Sequence, residues 1–144
     1  MSDIDLILPL LEPLEPHRWP RRRRWRLRAD WRFTLPTGAT AVIRAGFIFD
    51  GASIPRLFNA IFSPVGILFI PSILHDAGYK QHFLWVETDG ILHKTYQHES
   101  RRFFDDVFFA VATQLYGHPL AFRIPWLAVR LFGRSAWRRG QATL

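Results

Sequence analysis

The chain predicts an α+β domain, and three observations predict it. A run near the N-terminus alternates apolar and charged residues with period two, as a half-buried strand does. Residues 101–116 carry apolar residues at three-four spacing, the mark of a helix with one buried face, and Ser72 signals the start of an earlier helix. Between those helices, Asp89-Gly90 sits between two short apolar runs and signals a hairpin. With 144 residues, 49% of them hydrophobic and 15% aromatic, the chain can bury one real core without a crosslink. It has no cysteine, which excludes disulfides, thiolate nucleophiles and cysteine-type zinc sites.

In chain order, residues 1–20 hold Pro9, Pro13, Pro16 and Pro20 and are expected to form an irregular arm ahead of a single domain over 21–144. From Arg24, the residues Trp25, Leu27, Ala29, Trp31, Phe33 and Leu35 alternate with Arg24, Arg26, Arg28, Asp30, Arg32 and Thr34. This gives a strand with an arginine-studded outer face, turning at Pro36-Thr37-Gly38 into a partner strand over 41–49. Asp50-Gly51-Ala52-Ser53-Ile54-Pro55 is a tight connection, with Ser53 capping a short helix and Pro55 in its first turn. Residues 57–74 carry no charge and are long enough to suggest a membrane span. Asn59, Ser63, Pro64, Gly66 and Pro71 interrupt them, so a loop entering a buried helix is expected instead.

Ser72 is expected to cap that helix, which runs through His75 and Asp76 to Gln81. Residues 83–97 form the small β-wing, and Ser100 opens a helix from Arg101 to Tyr116 closed by Gly117. A final helix from Pro125 to Trp137 breaks near Gly133. The expected fold is thus an N-terminal β-hairpin on an antiparallel helix pair, with an intervening wing and a C-terminal helix.

The net charge is +7, and only Lys80 and Lys94 are lysines. Guanidinium groups bind phosphate in bidentate fashion, which suits lipid headgroups or nucleic acid. A high-GC genome writing arginine for lysine gives the same composition. Arg24, Arg26, Arg28 and Arg32 share one strand face without a nucleic-acid reader motif, so nucleic acid is not the expected partner.

The chemistry concentrates at His75-Asp76-Ala77-Gly78-Tyr79 and at Asp105 and Asp106 on the later helix. Histidine can take a proton from water near neutral pH, and a carboxylate can orient its ring. His75 and Tyr79, at i and i+4, project from one helix face toward a common partner. Asp105 lies on the flank of the buried face made by Phe104, Val107, Phe108, Val111 and Leu115, while Asp106 points nearly opposite. The candidate catalytic residues are therefore His75, Tyr79, Asp105 and Asp106. The bland counterpart is a satisfied core histidine, with two aspartates placed by the helix dipole. A metal phosphohydrolase would need an earlier histidine, and only His17 in the arm is available. His82, His93, His98 and His118 show no ligand spacing either.

Residues 45–56, Ala-Gly-Phe-Ile-Phe-Asp-Gly-Ala-Ser-Ile-Pro-Arg, resemble the signature of a family of small phage and prophage proteins. Its members continue with a His-Asp-x-x-Tyr helix, an Asp-x-x-Phe helix and a tail like Ala128-Val129-Arg130-Leu131-Phe132-Gly133, all present here in order over 25–137. The resemblance implies a phage gene and a domain of unknown function, with virion tail or baseplate proteins as partners. Residues 1–11 carry Asp3 and Asp5 in place of a basic leader, so synthesis in the host cytoplasm without a signal peptide is expected, with virion association.

The helix pair also resembles the site of phospholipase A2 enzymes of the bacterial and parvoviral types. That resemblance implies His75 as the base activating water, Asp76 as a calcium ligand, and Tyr79 bonded to the carboxylate that orients His75. Those enzymes use a glycine-rich calcium loop. Here Asp50-Gly51-Ala52-Ser53 is shorter, and the Asp50 side chain would supply the ligand to Ca2+. Helix geometry favours Asp105 as the orienting carboxylate, whereas spacing to Gly117 favours Asp106; both are retained. A phospholipid surface would then be met by Trp126 and Arg130, and by Arg24, Arg26 and Arg28. Two functions follow: a phospholipid esterase, or a structural virion component in which the same residues only pin helices together.

Overall fold

The computed structural model describes residues 8–14, 24–49, 68–117 and 119–141. Its elements run β1 (Leu11–Leu14), β2 (Arg24–Leu27), β3 (Trp31–Thr34), β4 (Thr40–Ile43), β5 (Ile48–Phe49), α1 (Phe69–Gln81), β6 (Leu84–Thr88), β7 (Ile91–Thr95), α2 (Arg101–Tyr116), α3 (Pro119–Phe132) and α4 (Arg134–Gln141). The strands form two antiparallel sheets, β1-β2-β5 and β3-β4-β6-β7. The α+β class is as expected.

The period-two run does put Leu27, Trp31, Phe33 and Leu35 in the core and Arg24, Arg26, Arg28 and Arg32 outside. It is two strands, however, because the long hairpin bends between its halves. Asp30 Oδ1 accepts the Ala45 N–H at 2.7 Å, and Gly46, at φ +87°, donates its own N–H to Leu27 O at 2.8 Å. The inner halves pair as β3 and β4, and the outer halves pair as β2 and β5 in the other sheet. Ala29, expected inside, is exposed at this bend.

One expectation is corrected at a sheet edge. Leu11–Leu14, read as part of an irregular arm, is a strand that pairs with β2, placing Pro13 opposite Trp25. Proline suits it because an edge strand can do without one N–H. The expected wing hairpin is present as β6 and β7. Asp89 and Gly90 take φ of 52° and 76° in the predicted type I′ turn, but β6 pairs with β4 and extends the second sheet.

Helix α1 begins before Ser72, whose N–H already bonds Leu68 O at 3.0 Å, so serine is not its cap. Pro71 falls in the first turn, where a missing N–H costs nothing. Every residue from Ile70 to Tyr79 is buried, making α1 the central element. Helix α2 has the predicted bounds, with Gly117 left-handed at φ 65° and its N–H on Thr113 O. The C-terminal helix starts at Pro119 rather than Pro125, carries Pro125 within it, and breaks at Gly133 as expected. No helix among the described residues is long and apolar enough to cross a membrane. Residues 57–67 of the uncharged stretch, and the expected short helix after Ser53, lie outside the described residues.

Candidate active site

Two glycines set how closely the site helices approach. A Cβ on Gly78 would collide with the Phe104 ring, so α1 and α2 meet at their present distance because residue 78 has no side chain. A Cβ on Gly133 would stand 2.5 Å from the Tyr79 hydroxyl, which lets the α3–α4 junction close over the same place.

This approach brings His75 to Asp105. The His75 Nε2 lies 2.8 Å from Asp105 Oδ1, and the Tyr79 hydroxyl donates to that same oxygen at 2.5 Å. An ionised carboxylate only accepts hydrogen bonds, so toward Asp105 the imidazole donates from Nε2. The His75 and Tyr79 rings lie 4.0 Å apart, and the Phe108 ring meets His75 edge-on at 5.6 Å. Burial raises the Tyr79 pKa, and the adjacent Asp105 charge raises it further, so the phenol remains a donor.

Two arginines close the network. Arg130 Nε is 3.1 Å from Asp105 Oδ2, within ion-pair distance but off the line of a hydrogen bond, so that oxygen is neutralised without a directed partner. Arg101 Nη1 is 3.6 Å from the same oxygen and donates to Arg130 O at 2.9 Å and Val129 O at 3.2 Å. One guanidinium thereby ties α2 to α3 while facing Asp105. Arg130 also binds Asp106 Oδ1 at 2.5 Å, and Trp126 donates to that oxygen at 3.2 Å. Two carboxylates face two guanidiniums, so the cluster balances when His75 is neutral.

The carboxylate that meets His75 is thus Asp105 by position. Asp106 points outward with 63% of its side chain exposed and does not reach His75. Arg130 and Trp126, expected to face lipid, are both held by Asp106 instead. On the N-terminal strand, Arg26 and Arg28 lie 3.2 and 3.8 Å from Glu12, while Arg24 lies at the exposed start of β2. The arginine face expected to meet phosphate is therefore partly neutralised within its own sheet.

Asp76 is buried, and Lys80 Nζ lies 3.3 Å from its Oδ2 while donating to Ile48 O at 2.8 Å. An ammonium group bridges a backbone carbonyl and a carboxylate, the pair of ligands a hard cation would use. No group of three acidic or imidazole side chains able to hold a metal occurs among the described residues, and Asp50 lies outside them.

Sequence reading missed Arg101 and the inward role of Arg130. Arg101 had a local signal, because an arginine four residues before an aspartate on a helix can pair with it. Arg130 had none, since its partners stand 24 and 25 residues away.

The fold and site together define a class: a small α+β domain whose packed helices α1 and α2 bury a His–Asp–Tyr cluster. Residues 25–129 match the model of a family described as a protein of unknown function, DUF1353, and the chain belongs to that family. No curated protein and no solved structure matches it.

Proposed function

We propose that the chain is a phage- or prophage-encoded ester hydrolase acting on phospholipid, with His75 as general base and Asp105 as its orienting partner. The observation that carries this reading is the convergence of His75 Nε2 and the Tyr79 hydroxyl on one oxygen of Asp105. A carboxylate held there orients the imidazole and would stabilise the imidazolium formed when His75 takes a proton from water. The activated water would attack the ester carbonyl, and the imidazolium would return the proton to the leaving alcohol. Calcium would stabilise the oxyanion in the enzymes this site resembles.

The test is release of fatty acid from phosphatidylcholine and phosphatidylglycerol, with and without a chelator. Loss of His75 as a general base should cost about 100- to 10,000-fold in rate, so His75→Gln should be inactive while remaining folded. A chelator that abolishes activity would bring Asp50 and Asp76 back as calcium ligands.

A second reading rests on a different observation: His75 and Asp105 are both 0% exposed. A buried, charge-balanced cluster also suits a structural virion component, such as a tail or baseplate protein, in which these residues pin α1, α2 and α3. On that reading no lipid is cleaved, His75→Gln lowers only stability, and the protein is found at fixed copy number in particles.

A further inference from the structure

We propose that the outer face of α3, together with the arginines of α4, docks on an anionic lipid bilayer surface. The helix is apolar on two opposite sides. Its inner side buries Phe122, Ala128 and Val129. Its outer side exposes Leu120 (74%), Ile124 (68%), Leu127 (48%) and Leu131 (62%), which recur at four-, three- and four-residue steps and so form one stripe. The stripe is about 16 Å long at the helical rise per residue. A surface helix normally turns charge to solvent, and a contiguous apolar stripe in its place marks an interaction surface.

The charge around the stripe selects the occupant. After Asp106 the sequence holds no acidic residue, while Arg123, Arg130, Arg134, Arg138 and Arg139 follow. Arg130 is spent on Asp105 and Asp106, but Arg134 and Arg138 have no ion-pair partner among the described residues. They line a cavity of about 400 Å³ with Ser100, Arg101, Arg102 and Trp137, so four arginines and no acidic residue form its wall, although Arg101 is already held by Asp105, Val129 O and Arg130 O. Such a pocket suits a phosphate group, and phosphate beside acyl chains occurs at an anionic membrane. A second copy of this chain would bring a like positive charge against this face, which disfavours self-association there.

The helix would lie in the interface, leucine and isoleucine inserted and arginine at the headgroups. This placement differs from the one expected from sequence, where Trp126 and Arg130 were to meet the lipid. It also stands independently of whether His75 is catalytic.

The experiment is co-sedimentation of the full chain with vesicles of phosphatidylcholine alone and of phosphatidylcholine mixed with phosphatidylglycerol. Wild type should bind the mixed vesicles and lose affinity as salt rises. Leu120→Gln/Ile124→Gln/Leu131→Gln should weaken binding at least roughly tenfold. Arg134→Gln/Arg138→Gln should weaken it roughly thirtyfold on the mixed vesicles only, from about 1 kcal/mol for each near-surface cation. All substituted side chains are exposed, so thermal melts should match wild type. His75→Gln should bind like wild type, which separates docking from hydrolysis. Equal binding to both vesicle types, full binding by the triple variant, or a soluble dimer that the triple variant dissolves would each overturn the proposal.

Discussion

At Asp105 a single carboxylate serves four neighbours: His75 and Tyr79 on one oxygen, Arg130 and Arg101 on the other. Removing it leaves two partly buried guanidiniums facing a hole. Asp105→Ala should therefore cost about 3–5 kcal/mol, the range for a buried charge stripped of its partner. Asp106→Ala removes an exposed carboxylate and should cost about 1 kcal/mol or less. Urea unfolding of the two variants measures the contrast, and equal losses would refute the assignment of Asp105 as the buried partner. That assignment was half legible in sequence. Helix phase put Asp105 beside the apolar face, but the competing spacing of Asp106 to Gly117 could be set aside only by seeing where each carboxylate points.

At the element scale, the separation of α1 from α2 is set by Gly78 against Phe104. Gly78→Ala should push the helices apart and lower stability by about 1–3 kcal/mol, the usual cost of overpacking. Gly78→Ala/Phe104→Leu should recover part of that loss, and a double-mutant cycle on thermal melts would read the coupling. If the substitutions simply add, the ring is not what the new methyl meets. A glycine inside a helical pattern already hints at close packing. Its partner could not be named, because 26 residues and a complete hairpin separate the two positions. The hairpins teach the same lesson. Turn chemistry at Asp89-Gly90 was local and readable, whereas pairing of β6 with β4 joins segments far apart in the chain.

Over the whole molecule, three titrating groups act in the same direction. Burial lowers the His82 pKa from its ordinary 6.5, so below that value the unfolded chain takes up the proton first and stability falls. A hydrogen bond from Arg32 lowers the Glu87 pKa from 4.5, and the Ala45 N–H lowers that of Asp30 from 3.8. Their stabilisation is complete above those values and is lost as pH falls through them to the lower folded ones. The melting temperature should therefore drop on acidification in two windows. The first starts near 6.5 and should vanish in His82→Asn, where asparagine tolerates the left-handed φ of 61°. The second lies below 4.5 and should shrink in Arg32→Gln. A melting temperature flat between pH 7.5 and 5.5 would contradict the first window.

Sequence by itself determined the α+β class, the inward and outward faces of the N-terminal strands, the bounds of α2 and the two segments that carry the chemistry. All of these follow from side-chain periodicity and turn residues, which act over a few positions. Tertiary structure alone decided which aspartate meets His75, that Arg130 turns inward, that the wing joins the sheet, and that α3 leaves an apolar stripe uncovered. Each depends on contacts between residues distant in the chain, whose geometry comes from packing and leaves at most a partial local trace.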